Sequence, residues 1–492
     1  QSGHIWPMEV SVCLASGRTW KVQTDASSTV QCLKLEIQEH FSQGFLRLTS
    51  STGRLLEPER SLEEEGVKDG DVVTAVVQIP RIAANSSAFA LCAFRGVVVW
   101  GDANYGGAID DDAWRQLRNV RQIQATEKAF AAILADGRVL TWGHASYGGD
   151  SSFLQEDLVD VKQIQASAGA FAAILGPSRS VLAWGNRMMG GECELQLTKV
   201  KAIQSTDSAF AAILDDGRVI PWGSSFGGGG ISRSIQEQLQ GVEQIQSTRQ
   251  AFAAIRADGS IVTWGNEHYG ASGEMAEQLA HEEIREIAAS FRSFAAIRRD
   301  GSVVTWGPAE CGGDCQAVQD QLRDVQKIQS TWQAFAALRA DGRVVTWGDP
   351  QSGGDSSEVQ EELVDVQEIQ SSSRAFAALR ADARVVTWGH PECGGNSSRV
   401  LERLTDVVQI QATARAFAAM RADGTVVTWG VAWEYDSDVD SSEVQHLLHD
   451  VMALQATDGA FAAVTTRGEV VSWGSSEDGG DNSSVQEQLQ SL

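Results

Sequence analysis

The sequence predicts a mainly β protein in which ten tandem units follow one small α+β domain. The dipeptide Trp-Gly occurs ten times, at Trp100, Trp142, Trp184, Trp222, Trp264, Trp306, Trp347, Trp388, Trp429 and Trp473, with most intervals 41 or 42 residues. A period in that range marks a supersecondary unit copied along the chain, each copy burying its apolar faces on its neighbours. Within each period, short β-rich runs alternate with Gly-containing turns. Residues 8–77 carry no such mark and read strand, turn, strand, helix, strand, turn, strand. The expected division is residues 1–7 as a leader or disordered segment, 8–77 as the first domain and 78–492 as ten repeats of about 41 residues.

In the first domain, the alternation of Met8-Glu-Val-Ser-Val-Cys-Leu and the run Thr19-Trp-Lys-Val-Gln flank a Gly17 turn and predict a hairpin. Ser28 opens a helix over Thr29 to Phe41, whose stripe of Val30, Leu33, Leu35, Ile37 and Phe41 packs on that hairpin. Phe45-Leu-Arg-Leu, a turn at Ser51-Thr-Gly-Arg, Leu55-Leu56 and the closing run Asp71-Val-Val-Thr-Ala-Val-Val complete it.

This order resembles ubiquitin over about 70 residues, on Leu14-Ala-Ser-Gly-Arg-Thr, Val30 with Leu33-Lys-Leu-Glu-Ile, Gly53-Arg-Leu-Leu-Glu and Val67-Lys-Asp-Gly-Asp. The resemblance implies a ubiquitin-like (β-grasp) fold. A conjugated member ends in an exposed Gly-Gly tail, whereas here the strand runs on through Val77-Gln-Ile-Pro-Arg, so conjugation is not expected. The positions matching the family's apolar binding patch are Ala15, Thr49 and Ala75, all small or polar, which implies weak binding of ordinary ubiquitin receptors. Docking of another partner and capping of the array are both open.

The clearest repeat reads Val366-Gln-Glu-Ile-Gln-Ser-Ser, Ala375-Phe-Ala-Ala-Leu-Arg-Ala-Asp and Arg384-Val-Val-Thr-Trp-Gly, three short strands. The middle strand is apolar on both faces, which requires cover on both sides. Ala-Asp-Gly recurs before the third strand, at Asp136, Asp258, Asp341 and Asp423, as a hairpin turn whose Gly supplies positive φ. The repeated Phe and Trp fill the spaces between stacked sheets. After Trp-Gly a variable loop leads to Gly-Gly-Asp-Ser-Ser and a short helix, with capping-box spacing at Ser357 and Gln360 and at Ser442 and Gln445. Calcium-binding solenoids repeat every nine residues or so. Here the Asp recurs only once per unit, so it is assigned to capping.

The Asp-Gly turn, β-branched run, Trp-Gly, loop and Gly pair resemble the regulator of chromosome condensation family of β-propellers. The units are shorter than that family's, begin the second strand with Ala-Phe and replace its Gly-Gln-Leu-Gly with Gly-Gly-Asp-Ser-Ser. A propeller-like assembly is expected, with an open β-solenoid or superhelical ribbon as the alternative. Whole units filling the region to Leu492 favour the open form. Pro221 and the short interval from Trp184 to Trp222 mark a candidate seam, because Pro lacks a ladder donor.

Composition narrows the function. The net charge of −26, with 8 lysines against 31 arginines and no basic block, repels phosphate backbones and anionic lipids. No nucleic acid is expected, and a protein partner with a basic patch is favoured. No apolar run approaches the roughly 18 residues of a membrane span. A soluble, acidic protein follows. Seven scattered cysteines without metal-ligand spacing suggest a reducing compartment, cytoplasmic or nuclear. His-Glu-x-x-His, Gly-x-Ser-x-Gly and phosphate-loop patterns are missing, and no histidine recurs by unit. No enzyme activity, metal or cofactor is expected.

Function is instead expected in the two segments that change from copy to copy while the strands repeat. One follows Trp-Gly; the other is the pair before Ala-Phe, as in Glu127-Lys128, Arg249-Gln250, Trp332-Gln333 and Ala414-Arg415. Apolar and aromatic residues there are the candidate protein-binding anchors: Tyr147, Met188, Met189, Phe226, Tyr269, Trp332, Trp433 and Tyr435. The leading expectation is a non-enzymatic interaction scaffold or adaptor linked to the ubiquitin pathway. Its alternatives are a nucleotide-exchange regulator of a small GTPase, implied by the propeller resemblance, and a constitutive subunit of a larger complex. Oligomeric state is left open.

Overall fold

The computed structural model describes residues 8–14, 16–41, 46–77, 80–93, 96–272, 282–431 and 441–490. In the first domain, β1 (Met8–Leu14), β2 (Thr19–Thr24), the helix α1 (Val30–Phe41), β3 (Leu46–Thr49) and β4 (Val72–Val77) follow in the expected order. They form one sheet in the order β2-β1-β4-β3, with β1 and β4 parallel at its centre, the β-grasp arrangement. Period-2 burial along β1 places Met8, Val10, Val12 and Leu14 under α1, where Leu33 and Ile37 close the core. Ala75 belongs to that core and is fully buried, so it cannot sit in an exposed patch. The outward side of β4 carries Val72, Thr74 and Val76 instead, and Ala15 lies outside the described residues.

Ten three-stranded antiparallel sheets follow, each a meander of inner, middle and outer strand. The second unit, for example, joins Val120–Ala125, Ala129–Leu134 and Val139–Gly143. Its middle strand is buried at every residue, as the apolar run requires. The reason is that the cores lie between units. Ala129, Ala131 and Ile133 pack on Phe171, Ala173 and Trp184 of the next unit, while Phe130, Ala132 and Leu134 pack on Ala88, Ala90 and Val97 of the one before.

The ten Trp-Gly tryptophans are interior. Each stacks on the Phe opposite it in the middle strand, with ring centroids between 5.1 Å and 5.4 Å apart. Most also donate the indole N–H to a glycine carbonyl of the preceding unit, as Trp184 does to Gly148 at 3.1 Å. That glycine opens the Gly-Gly pair. It has φ of 92°, and a Cβ on it would come within 2.6 Å of the Phe171 ring. The Gly pair thus lets blades approach, a role beyond the loop consensus read from sequence.

The expected helix after Gly-Gly-Asp-Ser-Ser is mostly shorter, a 3₁₀ turn such as Ser152–Leu154 or Ser357–Val359; short α-helices form at Asp111–Gln116, Arg233–Gln238 and Gln486–Gln490. The capping box of Ser357 with Gln360 gives way to a different pairing. Asp355 accepts from the Ser357 N–H at 2.9 Å, and Ser356 bonds Gln360 at 3.0 Å. Gln360 then donates to the Val344 carbonyl at 3.0 Å, which ties the turn to its sheet.

The array closes into a ring, against the open form that whole units favoured. Trp100 of the first unit donates to the Gly479 carbonyl of the tenth at 3.1 Å, and the Ser87 hydroxyl donates to Asp478 at 2.7 Å. Phe89, Leu91, Val98 and Trp100 share a core with Ala460, Ala462, Val464 and Leu489. The closing joint therefore has the contacts of an ordinary joint such as that between the first and second blades, and no blade is shared between the ends. Ten blades form a β-propeller with the inner strands around its axis. Pro221 makes no seam: it pairs with Ala211 in an unbroken ladder on an outer edge strand, where a missing N–H is tolerated.

Candidate protein-binding face

A three-stranded meander delivers the inner-to-middle turn and the end of the outer strand to one side. Both variable segments therefore lie on one face of the ring, and the Asp-Gly hairpins lie on the other. Where it is described, the segment after Trp-Gly is not an irregular loop but a 3₁₀ turn of constant geometry, such as Ala145–Tyr147 or Arg187–Met189. In most of these turns a side-chain acceptor such as Asn186 caps the start, though not at Ser224, Pro308 or Ser475, and a left-handed Gly ends each described turn. Its last carbonyl is held by a hydroxyl from the inner turn, as when Thr126 donates to Tyr147 at 3.0 Å and Ser167 to Met189 at 2.8 Å. The two variable segments are thereby locked together within each blade.

This geometry sorts the candidates. The second residue of each 3₁₀ turn points outward: Met188 is 75% exposed and Phe226 78% exposed, in adjacent blades. In the other described turns the same place holds Asn104, Ser146, His268, Glu310, Gln351, Glu392 or Glu477, all polar. The third residue turns inward. Tyr147, Met189 and Tyr269 are half-buried against the inter-blade cores and contribute only part of their surface. Trp332, at the inner turn of its blade, is 48% exposed. Trp433 and Tyr435 lie outside the described residues.

Sequence reading missed the way the inner turns meet around the axis. In nine of the ten blades the first residue of the variable pair donates its backbone N–H to the carbonyl of its counterpart in the next blade. The series runs from Glu127 through Ala168, Asp207, Arg249, Phe291, Trp332, Ser373, Ala414 and Asp458 to Ser86, at 2.9 Å to 3.4 Å. These residues rim the mouth of the axial channel. Phe291 sits between Tyr269 and Trp332, with ring centroids 6.2 Å and 5.8 Å away, and Arg249 lies 4.6 Å over its ring while pairing with Asp207. Burial, reinforced by Asp207, raises the Glu127 carboxyl above its ordinary value; Asp458, whose surface stays exposed, is raised by partial desolvation at the channel mouth and by Asp478, against a hydrogen bond from Ser86. The available signal was register: Phe291, Asp207 and Asp458 occupy the place already noted as variable at Glu127, Arg249, Trp332 and Ala414.

Nothing in the cysteine chemistry competes with this face. Burial pushes the Cys92 thiol up to about 11 and raises those of Cys193, Cys311 and Cys315, so these sulfurs stay protonated at neutral pH. Among the described residues no group of three or more His, Cys, Asp or Glu is placed to hold a metal ion. Among them, too, no helix is long and apolar enough to cross a membrane.

No family model matches the chain, and no curated protein matches it. Among solved structures it is similar to the ectodomain of the Physcomitrella patens receptor kinase CR4, at 14% identity over 62% of this chain and 70% of that one, with a TM-score of 0.34. It is also similar to Prp20p from Saccharomyces cerevisiae, a structure described together with binding to Gsp1p and histones, at 14% identity over 55% of this chain and 83% of that one, with a TM-score of 0.32. Over 15% of its length it is similar to Caldiarchaeum subterraneum ubiquitin, at 23% identity and 95% of that chain, with a TM-score of 0.14.

Proposed function

We propose that the protein is a non-enzymatic interaction scaffold whose turn face binds protein partners. The observation that carries this reading is Met188 and Phe226, two large apolar side chains in the most exposed place of 3₁₀ turns in adjacent blades, where the other described turns carry polar residues. Exposed apolar anchors on turns closed by a left-handed glycine and tied to the inner turn lose little conformational freedom on binding, which is what an energetic hot spot requires. The net charge of −26 suits a partner with a basic patch. The N-terminal domain, read as ubiquitin-like, recruits a second factor through β4 residues Val72, Thr74 and Val76, and so links the scaffold to ubiquitin-pathway proteins. Affinity capture with the intact chain tests the main reading. Partners retained by the unaltered protein should be lost with Met188→Asp plus Phe226→Asp and kept with Arg343→Glu on the hairpin face. Equal retention by the double variant would refute it.

A further inference from the structure

The mouth on the turn face opens into a cavity of about 670 Å³. Its wall runs from Phe291 and Trp332 through Ser373 and Ala414 to Asp458. Below them the inner strands contribute small side chains, among them Ala289, Ala412 and Ala456.

Most polar atoms of this wall are already bonded within the ring. The rim N–H groups bond the next blade's carbonyls, the Ser330 and Ser371 hydroxyls donate to Ala289 and Ser330 carbonyls at 2.7 Å, and Ser373 donates to the Ala414 carbonyl at 2.5 Å. Asn85 donates to the Tyr105 carbonyl and accepts from Ser87 and Ala88. Recognition here falls to side chains. The arginines that follow the rim residues turn away from the axis, Arg292 to the His268 carbonyl and Tyr269 ring, Arg374 to Ser352 and Arg415 to Glu392. No cation offsets Asp458: among the described residues neither it nor Glu127 has an ion-pair partner.

We propose that this mouth receives one basic side chain, arginine or lysine, carried by an extended segment of the partner protein. The aliphatic stem lies along the alanine wall and against Trp332, and the cationic head reaches Asp458. A long side chain with an apolar stem and a charged tip matches a smooth wall that ends in one carboxylate. The inference rests on the turn face being the partner face and names what enters its centre; Met188 and Phe226 stand apart from the cavity wall, so the two claims can fail separately.

Short fluorescein-labelled Gly-Ser peptides carrying one central arginine, lysine or norleucine, titrated against the full chain by anisotropy, test it. The arginine and lysine peptides should bind and the norleucine peptide should not. Asp458→Asn and Trp332→Ala should each weaken binding by about tenfold or more. Trp332→Phe should retain most of it, with melting temperatures showing that every variant is folded. Arg343→Ala on the hairpin face should leave peptide binding unchanged. Equal binding of the norleucine peptide, undiminished binding by Asp458→Asn, or no binding up to about 1 mM peptide would overturn the proposal. Loss of peptide binding together with intact partner capture would overturn this inference alone.

Discussion

On the hairpin face, Asp136 accepts from the Arg138 side chain and backbone, Asp258 from the Ser260 hydroxyl and N–H, and Asp423 from Thr425 in the same way. These bonds hold each carboxyl below the usual aspartate value. On the turn face, partial desolvation at the channel mouth holds the half-buried Glu127 carboxyl and the more exposed Asp458 carboxyl above theirs. The hairpin carboxylates are engaged by their own turns, whereas on the turn face Glu127 and Asp458 have no ion pair among the described residues and Met188 and Phe226 stay exposed. The contrast teaches where selection for folding ends in this ring. Repeats need identical joints, and the hairpin face supplies one per blade, whereas the turn face is held by backbone geometry and leaves its side chains free to differ.

Both faces rest on a shared interior, and the largest effect is expected there. Trp347→Ala removes a ring stacked on Phe335 and orphans the Gly312 carbonyl, to which the indole N–H donates at 3.0 Å. It should cost about 3–5 kcal/mol in denaturant unfolding. On the turn face, Met188→Asp with Phe226→Asp should abolish partner capture yet shift stability by no more than about 0.5 kcal/mol, because nothing in the fold depends on those tips. A larger loss of stability would erase the distinction between the faces.

The hairpin face carries its own internal comparison. Gly342 has φ of 75°, and a Cβ there would lie 2.9 Å from the Asp365 Cα. Ala383 occupies the equivalent place one blade later, with φ of 60°. Gly342→Ala should therefore destabilise by about 1–2 kcal/mol and Ala383→Gly should stabilise by about 1 kcal/mol, both measured as shifts of the unfolding midpoint.

The smallest effect is a dependence on pH with opposite signs on the two faces. A lowered carboxyl such as Asp423 contributes stability that is complete above its unfolded value of 3.8 and is lost as pH falls toward its folded one. Asp458, raised in the folded chain, destabilises it when ionised, and protonation relieves this. Asp458→Asn should consequently raise the melting temperature at pH 7, with the gain fading as pH falls through the raised value and gone below 3.8. A gain independent of pH would show that the charge of Asp458 is not what the fold resists.

Much of the scaffold was legible because it is written ten times. Each Trp-Gly proved to close one outer strand, and the turn at Asp136 and Gly137 formed where the pattern placed it. Closure was not legible, since it depends on Trp100 meeting Gly479, 379 residues away, through a contact that looks like every local one. The 3₁₀ turns escaped notice because sequences as unlike as Ala145-Ser-Tyr and Arg187-Met-Met adopt them, directed by the flanking cap and glycine. Three candidates, Met188, Phe226 and Trp332, proved exposed, whereas Tyr147, Met189 and Tyr269 were drawn into the cores by a turn whose third position faces inward. The channel rim was invisible as a unit, because its members are brought together only by the ring.

Site-directed photo-crosslinking tests the central claim most directly. A photoreactive residue at Phe226 on the turn face and, separately, at Arg343 on the hairpin face is exposed to native extract, and the adducts are compared. Discrete partner adducts from position 226 and none from position 343 are predicted. Adducts from position 343 alone, or from neither position, would contradict a single binding face on this ring.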